Sequence, residues 1–376
     1  MKQRTYKATG INLKAMPMGE SDRLVTVLTK EHGLVRAIAP GARKHKSRLS
    51  GRSGLFVVND LLFTRGKSID KLIQAETLKS FPGLSKDLTK LTASQYLAEV
   101  VLAQALTEQP QEALYYLLIE HLSRIEAAAK PNVLACLSQA TFHLLALAGV
   151  APEVFRCCLS RAPLTVELGN PDWQVGFSVS SGGAVATEEI ERLVGDRLKE
   201  VKQQLSEREQ RRMATTAGAG PLTPEQTTER STERVAEPTA SYGPGTLSSA
   251  AYPATEPVPK LPPGLKKQVS RDVAKQIGVV TYLTAAELAL MQQLSKPELI
   301  LTASPSFPSQ GPSPFAAESG TIKQSAAKRP NFGGNLSTNG GPHLMWRHIE
   351  QALRQYTQYQ FDRPIKSAAL IDTCFS

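Results

Sequence analysis

Between residues 5 and 80, apolar and polar positions alternate in short runs that each end at a turn-forming residue. The runs are Tyr6–Lys14, broken by Gly10, then Arg23–Thr29 (RLVTVLT), Leu34–Ala39 (LVRAIA), Leu55–Thr64 (LFVVNDLLFT) and Ile69–Leu78. Lys30–Gly33 and Pro40-Gly41 punctuate them. A period of two with β-branched side chains predicts five short strands. Five strands joined by Gly-bearing loops close into a small barrel. A small sandwich satisfies the same pattern, and the barrel is the favoured reading.

After Phe81-Pro82-Gly83 the period changes to that of a helix. Leu91, Leu97, Ala98, Val101, Leu102, Ala105 and Leu106 make one stripe, and Leu114, Leu117, Leu118, Leu122 and Ile125 a second. Cys136, Leu137, Ala140, Leu144 and Leu147 make a third, opened near Pro131 and closed by Gly149. Residues 153–186 interrupt this rhythm with Gly, Pro and Asn around a β-like stretch at Val175–Val179. Helical signals return at Thr284–Leu294, where Thr284 and Glu287 are spaced as a capping box. They return again at Leu344–Tyr359, with Ile349, Leu353 and Tyr356 on one face. From 203 to 270 and from 303 to 342, Thr, Ser, Pro, Glu and Gly dominate. Such segments bury too little apolar surface to offset their ordering entropy, and disorder is expected there. The pattern is therefore α+β: a barrel at 1–81, then a helical domain built from 82–202, 271–302 and 343–376.

Charge adds a direction to this plan. The net charge is +10, and residues 1–81 hold sixteen Lys and Arg against six Asp and Glu. The other 295 residues hold twenty-eight of each sign. All of the excess therefore sits on the barrel, which favours a polyanionic partner, nucleic acid or an acidic membrane surface. No apolar run is long enough to span a bilayer, and MKQRTYKATG lacks the apolar core of a secretory signal. A cytoplasmic location is expected, and there the four cysteines stay reduced.

The densest basic stretch is Arg43-Lys44-His45-Lys46-Ser47-Arg48, with Arg52 just beyond, between the third and fourth strands. Arg23, Lys30 and Arg36 on the preceding strands are expected to extend it into a positive track. Few aromatic side chains (Tyr6, Phe56, Phe63) are at hand for base stacking, which points to phosphate contact with little sequence preference. A phosphate-cradling Gly-Lys-Ser/Thr loop is missing. Asp60, Asp70 and Glu76 could be imagined as a nuclease metal cluster but are expected to balance neighbouring cations. His121, His143, His343 and His348 lack partners at metal spacing. Binding without catalysis is the expectation, with no cofactor and no metal.

Gly19-Glu20-Ser21-Asp22-Arg23, LVTVLT, Glu31-His32-Gly33-Leu34, Pro40-Gly41-Ala42-Arg43 and Lys46-Ser47-Arg48 together resemble the N-terminal half of the RecO family. Pro163-Leu164, Asp172-Trp173 and Ser181-Gly182-Gly183 are similar to its middle. LTAAELALMQQL and Leu353-Arg354, through Arg363-Pro364-Ile365-Lys366-Ser367, are similar to its end. The resemblance covers most of the chain outside the two Ser/Pro-rich segments, and its specificity lies in the order and spacing of these pieces. It implies an OB-fold at 1–81 and a recombination mediator that binds single- and double-stranded DNA and anneals complementary strands. It also implies work with RecR, with the tail of the single-strand-binding protein and, indirectly, with RecA. An adaptor whose basic domain docks an acidic protein or membrane surface is the alternative. One departure stands out. Many family members carry two Cys-x-x-Cys pairs in the region of 157–187, where this chain has Cys157-Cys158 and, at Gly183–Thr187, no cysteine. Zinc is not expected in this degenerate ribbon; packing around Trp173 and Phe177 is expected in its place.

Overall fold

The computed structural model describes residues 4–217, 264–297 and 342–375. Most of the two segments expected to be disordered, 203–270 and 303–342, lies outside the described residues, as do residues 298–302 of the expected helical domain.

Five strands form a closed barrel in the order β1-β2-β3-β5-β4. They are β1 (Thr5–Met18), β2 (Asp22–Thr29), β3 (Gly33–Ala39), β4 (Val58–Thr64) and β5 (Asp70–Lys79), with a short helix α1 (Leu49–Arg52) between β3 and β4. This is the OB-fold, with β3 and β5 closing the barrel in parallel. Alternation turns Val25, Val27, Val35, Ala37, Leu61, Phe63, Leu72 and Ala75 into its interior. A bulge between Asn12 and Lys14 shifts the β1–β2 register and lets β1 run four residues past its expected end at Lys14. At the other side β4 starts later than the apolar run suggested. Phe56 has φ +58, and its N–H bonds the Asn12 carbonyl at 2.9 Å, so Leu55–Val57 is a turn.

The helical part begins with α2 (Pro82–Lys86), α3 (Leu88–Gln104), α4 (Glu112–Ala127) and α5 (Val133–Leu147). Next come strands β6 (Gln174–Ser178) and β7 (Gly183–Ala186) and helices α6 (Thr187–Ala217) and α7 (Leu265–Gln276). Strand β8 (Val279–Thr284) and helices α8 (Ala285–Gln293), α9 (Pro342–Phe361) and α10 (Ala368–Cys374) complete it. β8 joins β6 as the third strand of a small sheet, order β7-β6-β8. Helix α6 runs past residue 203, where disorder was expected, and α7 begins before 271. The stretch Glu188–Arg212 is rich in Glu, Lys, Arg and Gln, good helix formers. Within it Ile190, Val194, Leu198, Val201 and Leu205 recur at helical spacing. The polar composition around 203 obscures that stripe, and beyond Leu205 it stops. The described residues up to Glu191 and from Arg271 on form one compact unit; the rest of α6 and the start of α7 belong to a second.

Barrel and helices share a core in the first unit. Ile11, Leu13 and Leu28, facing out of the barrel, belong to the same buried cluster as Tyr96, Leu97, Leu118, Leu122 and Leu137. The capping box of α8 forms as expected: Thr284 Oγ1 accepts the Glu287 N–H, and Glu287 bonds back to Thr284 N. Glu287 also takes His348 Nδ1 at 2.7 Å, so one carboxylate both caps α8 and docks α9.

Helix α9 carries a buried acid. Glu350 is 3 % exposed and lies 3.3 Å from the Arg354 guanidinium. Burial nevertheless pushes its carboxyl up to about 7, against the pull of Arg354. With the folded value above the unfolded one, the stability this group contributes is full below its unfolded value. It declines as pH rises through about 7. Arg354 keeps bonds to Asp372 at 2.6 and 3.0 Å without it. Glu350→Gln is therefore expected to raise the melting temperature at pH 8 and to lose that advantage near pH 4.5. Thermal melts at the two pH values check this, and a fall at pH 8 would make the ion pair the dominant effect.

Candidate nucleic-acid interface

The loop between β3 and β4 carries the basic stretch, and polar groups clamp it at both ends, half-exposed at its start and buried at its end. At its start, Asp22 Oδ1 accepts the Gly41 N–H at 2.8 Å, and Ser21 O accepts that of Arg43 at 2.8 Å. The Gly41 amide, then the Ser21 hydroxyl, hold the Asp22 carboxyl below its usual range. Gly41 turns the chain at φ +64, and Ala42 is buried in the barrel core. At the far end, the buried Asn12 and Asn59 amides donate to the Arg52 carbonyl at 2.7 and 2.9 Å. In between, successive turns bond Lys44 N to Gly41 O, Ser47 N to Lys44 O and Ser50 N to Ser47 O. The loop is thus shaped before any ligand arrives, which lowers the ordering cost of binding.

Four of the expected cations lie on the exposed stretch between the clamps: Arg43, Lys44, Lys46 and Arg48. Among the described residues none of them is in an ion pair. Arg43 donates to Gly19 O at 2.8 Å, which aims it toward the β1–β2 turn without neutralising it. Arg36 is exposed on the outer face of β3.

The other three serve the fold. Arg23 donates to Ser50 O at 2.9 Å and Ser53 Oγ at 3.0 Å, and Arg52 donates to Ala75 O; both hold the loop down. Lys30 lies at the end of β2 away from the loop. Its ammonium donates to Tyr116 Oη at 2.8 Å and sits 3.7 Å from Glu112. The phenol hydrogen bond is the main cause of its raised pKa. Of the three residues expected to extend the basic stretch, Arg23 and Lys30 are engaged by neighbouring groups, at opposite ends of β2, and Arg36 is exposed on β3.

Strand register supplies two lysines that sequence reading missed. Lys14, Thr26 and Arg36 fall in one cross-strand row over β1, β2 and β3. Met16, Leu24, Ile38 and Lys71 fall in the next, over β1, β2, β3 and β5. The interior phase of Val25, Val27 and Ala37 puts both rows on the outside. Only the register, which a single sequence does not fix, brings Lys14 and Lys71 beside Arg36. Phe56 and Phe63 are buried, and Tyr6 stacks on Phe63 at 5.3 Å, so this surface offers phosphate contacts and aliphatic patches in place of ring stacking.

Other candidate chemistry does not assemble. Asp60 and Glu76 are paired across β4–β5, but Asp70 is elsewhere, accepting from Tyr6 Oη and from Gly66 N at 3.0 Å. His121 Nε2 meets His143 Nδ1 at 3.1 Å between α4 and α5, and burial pushes His121 down to about 3. Among the described residues no three His, Cys, Asp or Glu are grouped to hold a metal. At the degenerate ribbon, Cys157 Sγ accepts the Ala186 N–H at 3.3 Å, and the buried thiol packs on Val185 and Ile190. Cys157 and Cys158 alone cannot close a tetrahedral zinc site. Local packing here centres on Cys157, Val185 and Ile190, whereas Phe177, with Trp173 against it, belongs to the main core. No described helix is long and apolar enough to cross a membrane.

Comparison with known proteins follows the same division. A family model described as "Recombination protein O N terminal" matches residues 1–81, and "Recombination protein O C terminal" matches residues 85–207. The chain is 42% identical over 378 residues to the DNA repair protein RecO of Nostoc punctiforme, covering 99% of this chain and 97% of that one. It is 43% identical over 372 residues to that of Cyanothece sp., with the same coverage. To that of Gloeothece citriformis it is 66% identical over 183 residues, 48% of this chain and 65% of the other. The barrel carries the first family match, the helices the second, and full-length relatives span both: the chain belongs to the RecO family.

Proposed function

We propose that this protein is a non-catalytic, cytoplasmic mediator of recombinational DNA repair that binds single- and double-stranded DNA and promotes annealing of complementary strands. The observation that carries this reading is the loop clamped at both ends, with Arg43, Lys44, Lys46 and Arg48 exposed and without ion pairs. Such a loop neutralises phosphates of two strands at once, lowering their mutual repulsion while bases find their partners. The rows Lys14–Thr26–Arg36 and Met16–Leu24–Ile38–Lys71 supply a second contact area on the face that OB-folds use for oligonucleotides. Work with RecR and the tail of the single-strand-binding protein, ending in RecA loading, belongs to this proposal through the family.

The test is fluorescence-monitored annealing of complementary oligonucleotides at two salt concentrations. Wild type is expected to accelerate annealing, and Arg43→Glu/Lys44→Glu/Lys46→Glu to abolish the acceleration. Binding should follow a log–log salt slope of about −3 to −5 for four to six phosphates. No acceleration by wild type would favour a protein-docking adaptor, and magnesium-dependent strand loss would favour a nuclease.

A further inference from the structure

The segment between α9 and α10 meets β1 around a shared space. Between them and α3 lies a cleft of about 460 Å³. Its walls include Met16, Leu55, Leu102 and Ile365. Met16 and Leu55 are 39% and 41% exposed, so the cleft opens to solvent through apolar side chains. Lys14, Arg363 and Lys366 also line it and are exposed. Among the described residues none of these three cations is in an ion pair. One acid lines the same space, Glu99, whose Oε2 accepts the backbone N–H of Lys366 at 2.6 Å, and Gln95 lines it as well.

We propose that this cleft takes an unpaired base of single-stranded nucleic acid, with the flanking phosphates held by Lys14, Arg363 and Lys366. The inference rests on the DNA-binding reading given above and deepens it. Two observations choose this occupant. Lys14 and Met16 belong at once to the cleft and to the two outward rows of the barrel, so a strand lying on β1–β3 continues into it. The lining is also graded: the three cations are exposed, while Glu99 and Gln95 are half-buried, and Glu99 Oε2 holds the Lys366 and Ser367 amides. A base satisfies that grading, because its ring N–H or exocyclic amine donates to Glu99 or Gln95 while its phosphates stay outside. An acidic peptide would instead bring carboxylates toward Glu99. A duplex cannot enter, since its bases are paired and stacked. The cleft therefore gives the protein a means of telling single from double strands that the loop, which meets only phosphates, does not have.

The test uses the full chain and three fluorescein-labelled probes read by anisotropy: oligo(dT), an abasic strand of equal length, and a duplex. Wild type is expected to bind oligo(dT) about tenfold more tightly than the abasic strand. Arg363→Glu/Lys366→Glu should lose about tenfold on oligo(dT), and its salt slope should shrink by about 1.4, the value for two single-strand phosphates. Duplex affinity should stay within twofold. Leu55→Asp, at an exposed position that leaves the fold intact by circular dichroism, should erase the preference for oligo(dT) over the abasic strand. Equal wild-type affinity for the two strands overturns the proposal. So does an unchanged slope in the double variant. A labelled Asp-Leu repeat peptide that binds wild type and not the double variant, with oligo(dT) unaffected, makes the cleft a peptide site and also overturns it. Loss of binding in the Arg43/Lys44/Lys46 variant alone would leave the DNA-binding reading standing and remove only the cleft. Absence of DNA binding by wild type would remove both.

Discussion

Gly33→Ala is expected to cost about 2–4 kcal/mol of stability, although it adds a single methyl group. Gly33 has φ +65, and a Cβ there would lie 2.2 Å from Leu106 O and 2.5 Å from Gln109 O. Both are backbone atoms, so no rotamer change relieves the overlap. Two bonds at this approach, Leu34 N to Leu106 O at 2.8 Å and Gln111 N to Lys30 O at 2.9 Å, join barrel to helices. The methyl must push them apart. Gly41→Ala is the matched control. Its φ is +64, but its Cβ would meet only Lys44 Cδ at 3.7 Å, so backbone strain alone, about 1 kcal/mol, is expected. Guanidinium unfolding of the two variants measures the difference. Equal losses would mean that the close approach at Gly33 contributes nothing.

That junction shows why the fold was only partly legible in the sequence. The five strands, the three helical stripes and the capping box at Thr284 are local patterns, and period and turn chemistry suffice for them. Gly33 reads locally as a hairpin residue, and nothing near it announces that Leu106 arrives against it. Lys30 fails for the same reason. On its strand it looks like one more surface cation, and only Tyr116 and Glu112, more than eighty positions on, reveal it as part of the junction. Helix α6 differs: its stripe Ile190, Val194, Leu198, Val201, Leu205 is legible locally, and beyond Leu205 only the helix propensity of its Glu, Gln and Arg residues marks its continuation. The candidate interface divides along the same line. The exposed run Arg43–Arg48 is a local charge signal that the sequence shows directly. The proposed contacts at Lys14 and Lys71 depend on register, and those at Arg363 and Lys366 on a return of the chain from more than three hundred residues away.

The division of the basic residues into clamps and free cations leads to the second large effect. Arg43→Glu, Lys44→Glu, Lys46→Glu and Arg48→Glu together are expected to weaken single-strand binding by about a hundredfold at 0.1 M salt. The log–log salt slope should shrink by about 3, the value for four phosphate contacts at roughly 0.7 each. Their melting temperature should stay within about 1 °C of wild type, because these side chains hold nothing but one carbonyl. Arg23→Gln/Arg52→Gln should do the reverse. Arg23 holds Ser50 and Ser53, and Arg52 holds Ala75. Removing them frees the loop, so the melting temperature falls by several degrees. The salt slope should persist, because the four cations proposed to meet phosphate are still present. Affinity falls only by what it costs to order the loop again. Anisotropy titrations from 50 to 300 mM salt, with a thermal melt of each variant, separate the two classes. If the clamp variant lost the slope instead, Arg23 and Arg52 would be phosphate ligands. If the quadruple variant kept it, the DNA path would run over Lys14, Arg36 and Lys71, with the loop set aside.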